Sequence, residues 1–351
     1  MPFSDQASLW SGLRSWWEHR VLLEPKDWIQ VEITSRCNAA CFYCPRTCYK
    51  QQWHNRSMSM DTFRRLVPAL SRTTLAYLQG WGEPLLHPDL ATMVRLAKEA
   101  GCMVGTTTNG MLLDVAGCHR LMDAGLDILA FSLAGTTSEC NDRARAGTRF
   151  EVVLEKLEMV RQIKEERQTT SPAVHIAYML LGSGLGDLQG LPRLMADHGV
   201  EQAVISVLDF EAKDVLSQEV LAAESVQERS DLQALFASLK RSAADLGLTI
   251  HTPGFETEES MNQPCSENIA QALFVGADGS VAPCVYANLP VEQEVCLRQG
   301  QHLPYRRQTF GNVNDLMLPV IWRGEAYSQF RNNLVAGRPA PFCRQCPKRG
   351  R

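Results

Sequence analysis

The sequence has no apolar run near the roughly 18 residues that a membrane span needs. It also has no strong excess of charge of one sign: 35 Lys and Arg stand against 39 Asp and Glu, a formal charge of −4. The first absence excludes a helical membrane protein. The second argues against nonspecific nucleic-acid binding, which depends on surplus cations. An export signal is missing too, because Met1 to Leu23 carries tryptophan and charge where a signal peptide would carry an apolar core. No low-complexity linker interrupts the chain. These absences predict a soluble, cytoplasmic protein with neither nucleic acid nor membrane as partner.

What the chain has in excess is cysteine, 12 in 351 residues. With 45% hydrophobic residues available for a core, disulfide staples are unnecessary, and grouped thiolates in a reducing compartment point to metal. Cys37, Cys41, Cys44 and Cys48 lie close together, and Cys102, Cys118 and Cys140 are scattered. Cys265, Cys284, Cys296, Cys343 and Cys346 fall in the last quarter.

Between residues 31 and 251 a unit recurs: an amphipathic stretch, a glycine, then a short β-branched run. Gly101, Gly125, Gly199 and Gly247 read as helix C-terminal caps. They precede the expected strands Met103–Thr108, Ile128–Leu133, Ala203–Leu208 and Leu248–His251. Val31–Ser35, Leu75–Gln79 and Val174–Leu180 supply further strands, and Phe63, Leu66, Val67 and Leu70 have the spacing of one helix face. Such alternation predicts an α/β fold with a parallel sheet, helices outside it, and six or so units forming a barrel or part of one. After about residue 252 the pattern changes. Leu273 to Ala282 reads as two short strands around an Asp278-Gly279 turn, residues 285–311 as loop, and Leu316–Asn333 as helix with Pro319 near its first turn. Glu211–Ser230 reads as a solvated connection or helix. The expected organisation is an N-terminal helical extension (1–30), a barrel (31–251) and a small cysteine-rich domain with a β-hairpin (252–351).

Cys37-x3-Cys41-x2-Cys44 falls just after the first strand. Three thiolates can hold three irons of a cubane and leave the fourth open to a substrate or cofactor. A structural zinc site is the alternative, and it would draw its fourth ligand from Cys48 or His54. With Tyr43 before the third cysteine, the loop resembles the signature of radical S-adenosylmethionine (SAM) enzymes. Gly80-Trp81-Gly82-Glu83-Pro84 is similar to that family's glycine-glycine-glutamate-proline motif, with Trp81 in place of a glycine. Thr108-Asn109-Gly110 resembles its threonine-asparagine-glycine turn. The resemblance covers residues 31–208 and implies a partial (β/α)6 TIM-like barrel, a SAM-binding [4Fe–4S] cluster on Cys37, Cys41 and Cys44, and SAM itself. It further implies that Gly82 and Glu83 serve the methionine amine, and that Ser132 and Arg145 contact the ribose or carboxylate, with Arg143 as a rival for Arg145. Tyr43, Thr108 and Asn109 complete the implied cofactor site.

Four thiolates among the late cysteines could hold zinc or an iron–sulfur cluster, and geometry does not decide between them. Cys265, the Asp278-Gly279-x4-Cys284 hairpin and Cys343-x2-Cys346 together resemble the SPASM or shorter twitch extension of radical SAM enzymes. This implies one auxiliary [4Fe–4S] cluster on Cys265, Cys284, Cys343 and Cys346, with Cys296 as the doubtful fifth cysteine. The full SPASM pattern has seven cysteines, and this segment has five.

Asp209 and Glu211 follow the sixth strand and are candidates to accept a proton lost in an oxidation; Asp209 is taken as the catalytic residue. Tyr178 reads as cavity wall, His87 as a satisfied loop histidine, and Cys48, Cys102, Cys118 and Cys140 as small buried or partly exposed residues. Trp10, Trp16 and Trp17 are expected to pack on the barrel. The basic ending, Arg344, Lys348, Arg349 and Arg351, reads as a solvated tail. The 30 residues before the first strand are too few for a winged-helix leader-binding module. The resemblance implies a radical SAM oxidoreductase acting on a peptide or protein, or else on a small molecule such as a sugar or aminoglycoside, with flavodoxin or ferredoxin as low-potential electron donor. A non-catalytic iron–sulfur carrier is the third alternative.

Overall fold

Seven parallel strands succeed one another: β1 (Lys26–Val31), β2 (Thr73–Tyr77), β3 (Met103–Thr108), β4 (Ile128–Leu133), β5 (Ala173–Leu180), β6 (Gln202–Val207) and β7 (Thr249–His251). The computed structural model describes residues 25–221, 225–254, 265–291, 295–298, 301–344, 346 and 348, without the side chains of 295–298 and 301–304. Each strand pairs with its predecessor in sequence. Parallel strands in sequential order, joined by helical crossovers of the usual hand, pack those helices against one face of the sheet and leave the other face as an interior. Gly101 and Gly125 end their helices at φ of 95° and 87°, and Gly199 and Gly247 do the same.

β8 (Ala272–Val275) and β9 (Val281–Ala282) form the expected hairpin. They also extend the main sheet, because β8 lies parallel to β1 with Trp28 opposite Ala272 and Val31 opposite Val275. The nine-stranded order is β7-β6-β5-β4-β3-β2-β1-β8-β9. The late cysteine segment is therefore joined to the barrel beside the strand that leads into the first cysteine loop.

Several boundaries differ from expectation. β1 ends where the sequence pattern began it: Ile33 and Ser35 are buried but run into loop, and Thr34 makes only an isolated bridge to Ser57. The Phe63–Leu70 face belongs to two short helices, Met60–Arg64 and Val67–Leu70, separated where Pro68 enters the second. Within 285–311 lies a second hairpin, β10 (Val295–Arg298) and β11 (Gln301–Pro304), which mixed polar and apolar residues concealed. Gly324 divides the Leu316–Asn333 helix into Leu318–Arg323 and Glu325–Val335. Part of Glu211–Ser230 is ordered by a capping box at Ser225 and Glu228, which starts the helix Val226–Ala244. Trp10, Trp16 and Trp17 lie outside the described residues.

The main core lies between sheet and helices, with Val104 and Leu129 from strands meeting Val94 and Leu121 from helices. A second apolar cluster sits at the C-terminal ends of the strands, where Tyr43, Trp53 and Phe210 meet Leu289 and Tyr305. It seals the late segment onto the loops that carry the site. No described helix is long and apolar enough to cross a membrane.

Candidate functional site

A cavity of about 300 Å³ opens at the C-terminal ends of the strands. Cys37, Cys41 and Cys44 all line it. Their loop is pinned by the chain after β4: Ala40 N–H donates to the Ala146 carbonyl at 2.6 Å and Phe42 N–H to that of Ala144 at 3.2 Å. Burial and the neighbouring thiols Cys41 and Cys37 push Cys44 up to about 12. Such thiols keep their protons unless a metal holds them as thiolates. Cys48 instead turns its thiol to the Phe42 carbonyl at 3.5 Å. His54 lines a different cavity, with Glu32 and Arg307. Neither alternative fourth ligand joins the three thiols.

The segment after β2 approaches this loop closely. A Cβ on Gly82 would stand 2.2 Å from the Thr34 carbonyl oxygen and 2.5 Å from that of Arg36, so the motif's glycine is required by backbone contact. Glu83 is buried and accepts at Oε1 from the Thr108 hydroxyl at 2.7 Å and Leu85 N–H at 3.1 Å, and at Oε2 from Asn109 N–H at 2.7 Å. Burial raises its pKa against these donors. Thr108 thus supports Glu83 from beneath and is absent from the cavity wall, which Asn109 reaches. The Asn109 amide donates to Asn38 Oδ1 at 2.8 Å, inside the cysteine loop. Ser132 and Arg145 also face the cavity. Arg145 donates to the Tyr43 hydroxyl, whereas Arg143 is absent from the wall.

Three buried donors at this cavity have no hydrogen-bond partner: Arg145 Nε, Tyr178 Oη and Trp81 Nε1. Unsatisfied donors of this kind are costly unless a ligand answers them. A polar ligand with hydrogen-bond acceptors, seated beside the thiols, meets that need, and SAM with its carboxylate, ribose and adenine supplies them. Tyr178 is part of the cavity wall, as expected from its place near the end of β5, and its hydroxyl adds an unanswered donor there.

Across the cavity stand Asp209, Phe210 and Tyr286. Val285 and Tyr286, which follow Cys284, belong to that wall, so the late segment reaches this space although Cys265, Cys284, Cys343 and Cys346 do not line it. Burial first, then the neighbouring Cys346 thiol, raise Cys265 up to about 11, and burial with Glu267, Cys346 and Cys265 raises Cys284, so these three thiols lie near one another. The Cys346 N–H donates to the Cys343 carbonyl at 3.3 Å, which turns that pair back on itself. Among the described residues no three His, Cys, Asp or Glu side chains gather around a single metal ion. The β10 backbone carries Cys296, but its side chain lies outside the described set.

The solvated-tail reading fails at Lys348. Its ammonium pairs with Asp209 Oδ2 at 3.0 Å and Glu267 Oε1 at 3.3 Å, and its side chain is 20% exposed. Burial opposes its charge, but Tyr286, Asp209 and Glu267 outweigh that effect and hold the proton. Arg344 turns to the Pro339 carbonyl at 3.2 Å; Arg349 and Arg351 lie outside the described residues.

Residues 31–188 match the radical SAM superfamily, and residues 265–347 match SPASM, an iron–sulfur cluster-binding domain. The chain is 27% identical over 328 residues to the tungsten-containing aldehyde ferredoxin oxidoreductase cofactor-modifying protein of Pyrococcus furiosus, covering 92% of this chain and 87% of that protein. It is 24% identical over 325 residues to the PqqA peptide cyclase of Ruegeria pomeroyi, covering 91% and 79%. Streptococcus suis SuiB bound to S-adenosylmethionine has the same fold, with a TM-score of 0.66 at 14% identity over 99% of this chain and 77% of that one.

Proposed function

Because the chain belongs to the radical SAM superfamily and carries an iron–sulfur cluster-binding domain behind its barrel, we propose that it oxidises a peptide or protein side chain. In this reading Cys37, Cys41 and Cys44 hold the SAM-binding [4Fe–4S] cluster. Cys265, Cys284, Cys343 and Cys346 hold one auxiliary [4Fe–4S] cluster. With SAM bound, the first cluster would supply the one-electron chemistry that yields methionine and a 5′-deoxyadenosyl radical for hydrogen-atom removal, and the auxiliary cluster would supply an acceptor for the electron left behind. A ferredoxin or flavodoxin provides the low-potential electron.

The chain's own residues bind and orient. The backbone at Gly80 to Gly82 receives the methionine amine, and Glu83 fixes the Asn109 turn against it. Arg145 answers the carboxylate with its charge. Ser132 and Tyr178 face the ribose and adenine. Trp81, Phe210 and Tyr286 exclude water from the reacting carbon. Asp209 accepts, at a carboxylate oxygen, the proton that the oxidation releases.

The observation that carries this reading is the grouping of three thiols and three unanswered donors around one cavity. A peptide target is supported by the relative named a PqqA peptide cyclase. The test is anaerobic reconstitution with iron and sulfide, then dithionite and SAM, with 5′-deoxyadenosine measured. The protein should form it, and Cys37→Ala/Cys41→Ala/Cys44→Ala should not. A mere iron–sulfur carrier would form none in either case.

A further inference from the structure

The residues two positions after three of the late cysteines converge on one point. Glu267 follows Cys265, Tyr286 follows Cys284, and Lys348 follows Cys346. Lys348 Nζ lies 3.3 Å from Glu267 Oε1 and 5.6 Å from the centre of the Tyr286 ring. The same ammonium reaches out of the segment to Asp209, 3.0 Å away, just beyond β6 on the barrel. The tail is held in this place by its backbone as well, because Ser266 N–H donates to the Lys348 carbonyl at 3.2 Å. Asp209 and Tyr286 both line the substrate cavity. The Asp209 side chain is 3% exposed, so water screens the pair weakly and its field reaches neighbouring groups.

We propose that Lys348 is a positioning residue that couples the charge of Asp209 on the cavity wall to the reduction potential of the auxiliary cluster. A cation beside a cluster favours the added electron, and an anion opposes it. Here the two are paired, and the anion faces the cavity. A substrate group that donates a hydrogen bond or positive charge to Asp209 offsets the anion and leaves more of the Lys348 field acting on the cluster. The auxiliary site then accepts an electron more readily when the cavity is filled than when it is empty. This inference rests on the assignment of Cys265, Cys284, Cys343 and Cys346 as ligands.

The experiment is a potentiometric titration of the reconstituted full-length protein, followed by electron paramagnetic resonance of the auxiliary cluster without substrate. Lys348→Met should move its midpoint to more negative potential and Asp209→Asn to more positive potential. The double variant should return close to the wild-type value, and Lys348→Arg should stay near it. Iron content separates the two ways to fail. If the wild type retains only the SAM-binding cluster, or Cys343→Ala/Cys346→Ala loses no iron, the ligand assignment is wrong and the inference falls with it. If the auxiliary cluster is present but Asp209→Asn leaves its midpoint unmoved, or moves it in the same direction as Lys348→Met, the coupling is wrong and the ligands stand. Should Lys348→Met fail to load iron, the upward shift in Asp209→Asn and its absence in Lys348→Arg still decide the matter.

Discussion

Arg145 donates from Nη1 to the Tyr43 hydroxyl across 2.7 Å, and both side chains are buried. The contact joins the segment after β4 to the first cysteine loop and leaves Arg145 Nε at the cavity without a partner. A guanidinium held at one nitrogen and unanswered at another is oriented for an anionic ligand.

Arg145→Lys removes that planar, two-sided geometry while keeping the charge. Loss of a charge-assisted hydrogen bond of about 1.5–3 kcal/mol predicts SAM binding weaker by about 10–100-fold. Tyr43→Phe removes only the holding contact, so its effect should be smaller, about 5-fold. Equilibrium dialysis of SAM against the anaerobic, cluster-loaded protein measures both. Equal losses in the two variants would deny Arg145 a direct contact.

Glu83 provides a second prediction, in stability. Its two oxygens serve Thr108, Leu85 and Asn109 inside a buried pocket. In Glu83→Gln one oxygen becomes an NH2 group, which must face a donor whichever way the amide turns. The expected cost is about 1–3 kcal/mol, seen as a lower urea midpoint with an unchanged slope. SAM affinity should fall as well, because the Asn109 turn loses its anchor.

Much of this was legible from residues alone. The glycine caps, the strand-ending motifs and the Asp-Gly hairpin each state a local backbone requirement, and local requirements survive in sequence. Long-range pairing does not. Nothing in Ala272–Val275 announces that it would lie beside β1, and nothing in a basic C-terminal segment separates Lys348 from a solvated lysine. Their placement depends on partners some 140 and 240 residues away in the chain, where only the folded structure brings the surfaces together. The break between the helices at 60–70 was readable from Pro68 but masked by an otherwise regular apolar spacing.

Glu32 connects the two parts in a way that pH should expose. It is buried just beyond β1, accepts at Oε1 from Trp81 N–H at 2.9 Å and at Oε2 from Ala277 N–H at 3.3 Å, and so ties the SAM-motif loop to the β8–β9 hairpin. Burial pushes its carboxyl from 4.5 up to about 7, aided by Asp278 and opposed by the two N–H groups and Arg307. His54 and Arg56 share its cavity. Between those two pH values the folded chain keeps a proton that the unfolded chain has released. Stability therefore falls as pH rises from about 4.5 to about 7, by about 3 kcal/mol in total for this group. Urea unfolding at a series of pH values should show that slope, and Glu32→Gln should flatten it. A slope unchanged in the variant would assign it to other groups.

The last prediction concerns Gly82. A Cβ there meets the carbonyl oxygens of Thr34 and Arg36, at 2.2 and 2.5 Å, and these are main-chain atoms leading into Cys37. No rotamer change relieves such a contact; the loop itself has to move. Gly82→Ala should therefore cost about 1–3 kcal/mol or more, and it should lower iron loading at the first cysteine loop while leaving the auxiliary site filled. Gly186→Ala is the matched control, since nothing lies within 4 Å of its added Cβ. Iron counting and urea unfolding on the two variants separate a loop displaced from its ligands from a general loss of fold. If Gly82→Ala loads iron like the control, the close backbone approach does not govern how the three thiols are held.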